Sequence, residues 1–158
     1  MAVLSGEDIK DKFIFEMDDE WKKCGAFCIK FYNNGKEDII IIDDHFPFLT
    51  DEEDFAFCRS RSENELWPMI LEKAYAKKFG SFTFIQGGLI DNALSDLTNG
   101  IPERHAKDDN ENVQKFWDSI IEWQTDGGYL GAGSPAHEDG DKAKSDSGIA
   151  QGHAYSIL

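Results

Sequence analysis

The feature that most constrains the fold is a pair of apolar segments joined by a short Asn-Gly turn. Apolar residues alternate with less apolar ones over Phe27–Tyr32, which is the two-residue period of a strand with one buried face. The turn Asn33–Lys36 contains Asn-Gly, a pair that readily adopts the positive φ angles of a tight hairpin. The aliphatic run Ile39–Ile42 then predicts a second strand, buried on both of its faces. The chain therefore contains a β-hairpin near its start.

Helical patterns follow the hairpin, so the predicted class is α+β. The pair Ser62 and Glu65 has capping-box spacing and predicts a helix that runs to about Phe79, where Gly80 stops it. An apolar stripe predicts another helix over roughly 110–124. The remaining expectations are a loop at 48–62, an extended segment at 81–85, a short helix near 91–97, a strand at 129–134, a polar loop at 135–148 and a strand at 150–158.

Composition narrows the classes of partner. The 158 residues suffice for one ordinary domain and carry a formal net charge of −15. So negative a surface repels phosphate backbones and anionic headgroups, which argues against nucleic acid and membrane surfaces as partners. No basic segment followed by an apolar run opens the chain, and no apolar run is long enough to span a bilayer. We therefore expect a cytoplasmic chain with no membrane-spanning segment.

The cysteines are few and odd in number. Cys24, Cys28 and Cys58 cannot form a disulfide framework, and a reducing compartment suits them best. Cys24 and Cys28 are spaced C-x3-C, but no second pair follows at the spacing of a zinc site. We interpret all three as structural or incidental residues.

A histidine near the end of the chain is a candidate for proton transfer. His153 follows Gly152 after a long polar loop and opens a predicted strand, which places an imidazole at a sheet edge. An imidazole titrates near neutral pH and can relay a proton to or from a thiol. By itself the pattern is weak, because a lone histidine is more often a surface or packed residue.

Several blocks together resemble one known family. Residues 67–77 read W-P-M-I-L-E-K-A-Y-A-K, residues 80–88 read G-S-F-T-F-I-Q-G-G, residues 96–100 read D-L-T-N-G, and residues 152–156 read G-H-A-Y-S. In this order and at these separations, they resemble the catalytic domain of calpains, the papain-related cysteine proteases. Asp43-Asp44 and Pro47 are similar to a further segment of that family. The resemblance covers roughly residues 24–158.

The resemblance implies a fold and a set of roles. The expected fold is a papain-like two-lobe cysteine protease core, incomplete at both ends, with 1–86 in the first lobe and 89–158 in the second. By resemblance, His153 matches the catalytic histidine of a Cys-His-Asn endopeptidase. Gly88 and Gly152 match glycines that line the substrate cleft, although Gly88 is equally explained as a turn glycine. The expected partners are protein substrates, together with regulatory domains or subunits.

Calcium is a further trait that the resemblance implies. Asp54, in the acidic loop Asp51–Asp54, aligns with a carboxylate of the family's first-lobe calcium site. The other ligands of that site would lie upstream. A solvated acidic loop is the alternative interpretation, because calcium needs several converging oxygen ligands.

Two catalytic parts of the family pattern are missing. No cysteine here lies in a G-D-C-W block, and no N-P-W-G-like block follows His153. We therefore expect the chain to hydrolyse no peptide by itself, although it would belong to a calcium-dependent cysteine endopeptidase. One alternative is a catalytically inactive calpain-like interaction or regulatory module. A weaker one is an unrelated acidic binding protein.

Overall fold

The computed structural model describes residues 4, 6–13, 23–60, 62, 65–106 and 112–157. Contacts divide the chain into two compact units. The hairpin unit comprises residues 7–88 and 96–99, and the histidine unit comprises residues 1–6, 89–95 and 100–158. The assignment of 1–86 and 89–158 to protease lobes stays a prediction.

Helices and small antiparallel sheets make this a mixed α+β structure, as the sequence predicts. In the described part of the chain, no helix is long and apolar enough to cross a membrane. The α-helices are α1 (Gly6–Lys12), α2 (Trp67–Phe79), α3 (Ile90–Thr98) and α4 (Val113–Thr125). The strands are β1 (Ala26–Asn33), β2 (Lys36–Asp43), β3 (Phe48–Leu49), β4 (Asp54–Phe55), β5 (Leu130–Gly133) and β6 (Ala154–Ile157), and 3-10 turns span Phe82–Ile85 and Gly140–Lys142.

The predicted hairpin is confirmed. Strand β1 pairs antiparallel with β2 from Ala26 opposite Asp43 to Asn33 opposite Lys36. Asn34 and Gly35 form the turn with φ angles of 50° and 80°, which match the right-handed twist of the strands. The hairpin register thus follows from the position of the Asn-Gly pair.

The prediction that the second strand is buried on both faces is wrong. Ile42 is 4% exposed, whereas Ile39 and Ile41 are 52% and 55% exposed. Ile39 and Ile41 lie on one face of β2 and Ile42 on the other, because side chains alternate along a strand. A continuous aliphatic run does not distinguish a strand that is covered on one face from one that is covered on both.

The core of the hairpin unit forms between β1 and α2. Ile29, Phe31 and Leu71 are at most 1% exposed. The ring of Phe31 lies 5.6 Å from that of Tyr75 on α2. Each fully buried apolar side chain of this size stabilises the fold by about 1.5–3 kcal/mol. The buried face of β1 and the apolar stripe of α2 therefore pack together in one core.

The block D-L-T-N-G also has a structural explanation in this unit. The Tyr75 hydroxyl donates to Asp96 Oδ2 at 2.9 Å. Burial, then this hydrogen bond, raises the pKa of the Tyr75 hydroxyl well above its usual range. Asn99 follows the end of α3 with a φ of 62°, a left-handed conformation that asparagine tolerates better than most residues. These two positions account for the aspartate and the asparagine of the block.

The start of α2 differs from the prediction. Leu66 is the N-cap and makes no side-chain cap, so Ser62 does not begin the helix. Instead, the Glu65 N–H donates to the Ser62 carbonyl, and the Glu65 carboxylate accepts from Ser60 Oγ at 2.8 Å. The capping-box prediction is wrong because its carboxylate is held by a different serine. Gly80, with a φ of 103°, ends the helix as predicted.

Three other segments differ in detail. The predicted loop 48–62 contains the short strands β3 and β4. Residues 82–85 form a 3-10 turn and not an extended segment, and Phe82 stacks on Phe57 with a 4.0 Å separation of ring centroids. Helix α4 begins at Val113, with the Asn112 side chain accepting from the Lys115 N–H. The predicted start near residue 110 lies outside the described residues.

Lysines of α2 bind the carbonyl groups of β2 and the segment after it. Lys73 donates to the carboxylate of Asp43 and to the carbonyl groups of Asp43 and His45. Lys77 donates to the Ile41 carbonyl at 2.6 Å. Lysines are a common means of protecting an edge strand from pairing with another chain. These bonds therefore tie α2 to the hairpin by polar as well as apolar contacts.

The ion pair between Asp43 and Lys73 predicts that the stability of the fold falls in acid. The hydrogen bond from Lys73, then that from the His45 N–H, lowers the pKa of Asp43 from 3.8 to about 2. A lowered carboxyl pKa stabilises the fold above the unfolded value and ceases to do so as pH falls through the folded one. We expect the loss of thermal stability between pH 4 and pH 2, over the window from 3.8 to about 2, to be smaller in Asp43→Asn than in the wild type. Thermal unfolding followed by circular dichroism measures this.

The matched control is Asp51→Asn, at an exposed carboxylate in the turn between β3 and β4. This variant should keep the acid sensitivity of the wild type. Equal acid sensitivity in Asp43→Asn and the wild type would refute a contribution of the Asp43–Lys73 pair.

Candidate active site

A second hairpin positions the candidate histidine. Strand β5 pairs antiparallel with β6, from Leu130 opposite Ile157 to Gly133 opposite Ala154. The predicted strand at 150–158 is shorter than expected, because residues 151–152 turn and β6 begins only at Ala154; Leu158 lies outside the described residues. His153 is thus the last residue before the strand, next to the end of β5.

The backbone of His153 is bound on both sides by Ser134. The Ser134 N–H donates to the His153 carbonyl at 2.9 Å. In return, the His153 N–H donates to Ser134 Oγ at 2.9 Å. The preceding Gly152 N–H donates to the Pro135 carbonyl at 2.7 Å. The main chain around His153 is therefore held by hydrogen bonds from the end of β5.

The imidazole of His153 is exposed and packs against one aromatic ring. It lies 5.0 Å from the ring of Tyr155, with an angle of 71° between the planes, an edge-to-face contact. An exposed imidazole on a fixed backbone can accept a proton from one group and return it to another. The role of His153 in proton transfer stays a prediction.

The two candidate cleft glycines differ in why they are glycine. Gly152 has a φ of +59°, a left-handed conformation in which a side chain is strained, although a Cβ would make only ordinary contacts there. Gly88 has no positive φ, and a Cβ would meet open space. The backbone therefore explains Gly152, whereas nothing local requires glycine at Gly88. Their role in binding substrate stays a prediction.

Sequence reasoning missed Ser134 and Tyr155, the neighbours of His153. Ser134 was assigned only to the end of a predicted strand, and its bonding partner lies 19 residues further along the chain. Tyr155 lies two residues after His153 in the same extended segment, so its side chain is expected on the same face. That spacing could have identified Tyr155 from the sequence. No pattern could have identified Ser134, because the pairing of β5 with β6 cannot be read from the long loop between them.

The three cysteines differ in exposure, and the pKa of one of them, Cys58, is raised. All three belong to the hairpin unit; Cys24 is exposed and Cys28 is buried in β1. The Cys58 N–H donates to Glu72 Oε2 at 2.8 Å. Burial, and then the Glu72 charge, raises the pKa of the Cys58 thiol. A catalytic thiol needs a lowered pKa, so the surroundings of Cys58 are those of a structural residue.

This environment predicts slow alkylation. At pH 7.5 we expect iodoacetamide to modify Cys24 first and Cys58 several-fold more slowly, because only the thiolate reacts. Glu72→Gln keeps an oxygen acceptor for the Cys58 N–H but removes the charge, so it should accelerate labelling of Cys58. Peptide mass spectrometry over a time course measures both rates. Labelling of Cys58 that is faster than that of Cys24 in the wild type would contradict this account.

Asp54 does not fit a calcium site with the residues that surround it. Its Oδ2 pairs with Arg59 at 3.0 Å, and its Oδ1 accepts the Phe55 N–H at 2.8 Å. Within the described ranges, the close group of metal-ligand side chains is Asp43, Asp44 and His45, not the loop that carries Asp54. A guanidinium beside a lone carboxylate opposes a cation, and calcium needs six to eight oxygen ligands. Calcium binding at Asp54 stays a prediction.

Comparison with known proteins decides the family. The calpain family of cysteine proteases matches the chain over residues 2–158. The chain belongs to the calpain family. It is 40% identical over 145 residues to the calpain-type cysteine protease DEK1 of Zea mays, and 36% identical over 134 residues to calpain clp-1 of Caenorhabditis elegans. It is 32% identical over 134 residues to human calpain-9. The resemblance drawn from the sequence blocks is thereby confirmed.

These calpains are much longer than the matched region. The matches cover 88%, 84% and 84% of this chain, respectively, but only 6%, 16% and 19% of the three relatives. The alignment therefore spans nearly all of this chain and a minor part of each calpain. It supports a protease family, and the activity of the chain is a separate question.

Proposed function

We propose that this calpain-family chain supplies the proton-relay histidine, His153, of a calpain-type cysteine endopeptidase. The observation that carries the proposal is the exposed imidazole at the start of β6, with its backbone held by Ser134, in the block that resembles the family's histidine strand. The family match supports peptide-bond hydrolysis as the reaction. The substrates would be proteins.

In the proposed mechanism, some catalytic residues lie in this chain and others lie outside residues 1–158. A cysteine thiolate outside residues 1–158 attacks the peptide carbonyl, and His153 protonates the leaving amine as the peptide bond breaks. A thioester forms with the cysteine, and water hydrolyses it with His153 accepting a proton. An asparagine, also outside the chain, orients the imidazole. Gly88 and Gly152 would let a bound peptide reach the backbone.

The setting of the longer protein follows from the same proposal. Calcium dependence would require ligands beyond the described residues, because Asp54 is already paired with Arg59. The three cysteines are thiols, which suits a reducing cytoplasmic compartment. Regulatory domains or subunits are expected in the rest of the protein, by analogy with the family.

A second candidate function is a catalytically inactive calpain-like interaction or regulatory module. The observation that favours it is the raised pKa of Cys58 together with the burial of Cys28, which makes neither of these two thiols an activated nucleophile. Sequencing the transcript on both sides of the region that encodes the chain distinguishes the two functions. A G-D-C-W block upstream and an N-x-W block downstream support the protease, and their absence supports the module.

The proposal also predicts that the isolated chain is inactive. Without a thiolate beside His153, no acyl-enzyme can form, so a fluorogenic peptide should be hydrolysed no faster than in buffer. Fluorescence over several hours with purified chain measures this. Hydrolysis by the isolated chain that disappears in His153→Ala would contradict the division of catalytic residues proposed here.

A further inference from the structure

We propose that Ser134 is a positioning residue for His153, acting through its side-chain hydroxyl. The inference rests on the proposed function, in which His153 relays protons, and adds a requirement that the family match does not contain. Ser134 would contact neither substrate nor thiol. Its effect would be to fix the main chain from which the imidazole projects.

The hydroxyl of Ser134 has two roles at once. It accepts the His153 N–H at 2.9 Å and lies 2.7 Å from the Ala150 carbonyl and 3.2 Å from the His153 carbonyl, so the shorter distance favours donation to Ala150. A single hydroxyl can do both, because it has one proton and two lone pairs. It therefore connects the two ends of the turn that precedes β6, Ala150 and His153.

The turn needs such a connection because Gly152 lies within it. Glycine has more accessible backbone conformations than any other residue, so a Gly-His turn is loose unless neighbouring groups select one conformation. The backbone bond from the Ser134 N–H to the His153 carbonyl is open to any residue at position 134 except proline. The bonds to the His153 N–H and to the Ala150 carbonyl both require the hydroxyl, so they are the specific contribution of Ser134.

The imidazole of His153 packs against Tyr155, whose hydroxyl binds the same Ala150 carbonyl as Ser134 does. The Tyr155 hydroxyl donates to the Ala150 carbonyl at 3.3 Å, while its ring packs edge-to-face on His153. The Ala150 carbonyl thus accepts from both Ser134 and Tyr155. Loss of the Ser134 hydroxyl would release the backbone of His153 and disturb the ring contact as well.

The test compares two substitutions of similar shape, Ser134→Thr and Ser134→Val. Threonine keeps the hydroxyl and valine replaces it with a methyl group, so their difference isolates the hydrogen bonds from the added bulk. In the valine variant, amide exchange at His153 should be about tenfold faster than in the threonine variant, the effect of losing one hydrogen bond. The nuclear Overhauser effects between the rings of His153 and Tyr155, whose centroids lie 5.0 Å apart, should also weaken in the valine variant alone.

Ser145→Ala is the matched control, because Ser145 bonds to Ser147 and to the Ile149 N–H in the same loop without touching His153. It should leave the amide exchange of His153 and its ring contact with Tyr155 unchanged. Identical amide exchange of His153 and identical ring contact with Tyr155 in the threonine and valine variants would overturn the proposal. Because both variants have a β-branched side chain in place of serine, a shared defect in folding would show in both and leave their comparison valid.

Activity separates this inference from the proposed function. In the longest product of the gene, Ser134→Val should lower kcat by about 10²-fold relative to Ser134→Thr with little change in KM, as for a misplaced catalytic group. Activity that depends on His153 but is equal in the two variants would refute the role of Ser134 and leave the proposed function intact. If the NMR changes expected in Ser134→Val alone are absent, the positioning role of Ser134 is refuted, even when the product has no peptidase activity.

Discussion

Replacing His153 with alanine in the longest product of the gene should lower kcat/KM for a peptide substrate by at least about 10⁴-fold. In the proposed mechanism the imidazole acts in both halves of the reaction, first protonating the amine that leaves and then activating the water. Removing a residue that works as one unit with a nucleophile costs nearly as much as removing the whole unit. Steady-state hydrolysis of a fluorogenic peptide, with active enzyme concentration matched between variants, measures the loss.

His137→Ala provides the control for this substitution. His137 lies in the loop before β6, where its Nδ1 accepts the Asp139 N–H at 3.2 Å. His137 is also a histidine of the histidine unit, but unlike His153 it does not directly precede β6. This variant should retain activity within a few-fold of the wild type. A His153→Ala enzyme with activity close to that of the wild type would exclude His153 as the proton relay.

Leu71→Ala should lower the free energy of unfolding of the hairpin unit by about 2–5 kcal/mol. Leu71 is 1% exposed on α2, so alanine leaves a cavity that close-packed neighbours fill only in part. Denaturant unfolding gives the overall change. Amide exchange of β1 residues reports on the hairpin unit specifically, since β1 carries Ile29 and Phe31 of the same core.

Leu66→Ala is the matched substitution outside the core. Leu66 is 48% exposed at the N-cap of the same helix and makes no side-chain cap. Its truncation should change the free energy of unfolding by less than about 1 kcal/mol, since exposed apolar atoms gain little from folding. Equal losses in the two variants would contradict the placement of the core between β1 and α2.

The parts of the fold that the sequence predicts are those governed by local rules. The Asn-Gly pair determines the first hairpin because two successive positive φ angles are rare elsewhere. Gly80 ends α2 because glycine adopts its φ of 103° without the strain that a side chain would cause. Helix α1 is not among the predicted elements, but α2, α3 and α4 lie close to the positions that the sequence predicts. In each case a few neighbouring residues contain all the information.

The failures involve partners that are distant along the chain. The exposure of Ile39 and Ile41 depends on which face of β2 meets α2, and the hydropathy of the run is the same for either arrangement. The Glu65 carboxylate binds Ser60 and so is unavailable to cap α2. The bond between Ser134 and His153 depends on how β5 pairs with β6. A long loop joins these strands, and its length does not determine which residues of the two strands lie opposite each other. Sequence patterns identified His153 through its block, but not the residues that hold it.

In the proposed function, His153 serves a thiol that lies outside these 158 residues. Trapping with a peptidyl epoxide tests it most directly, since such a probe alkylates an activated thiolate and mass spectrometry locates the adduct. We predict that the longest product of the gene forms one adduct, on a cysteine outside the chain, and that His153→Ala abolishes it. An adduct on Cys24, Cys28 or Cys58, or the absence of any adduct that depends on His153, would contradict the account.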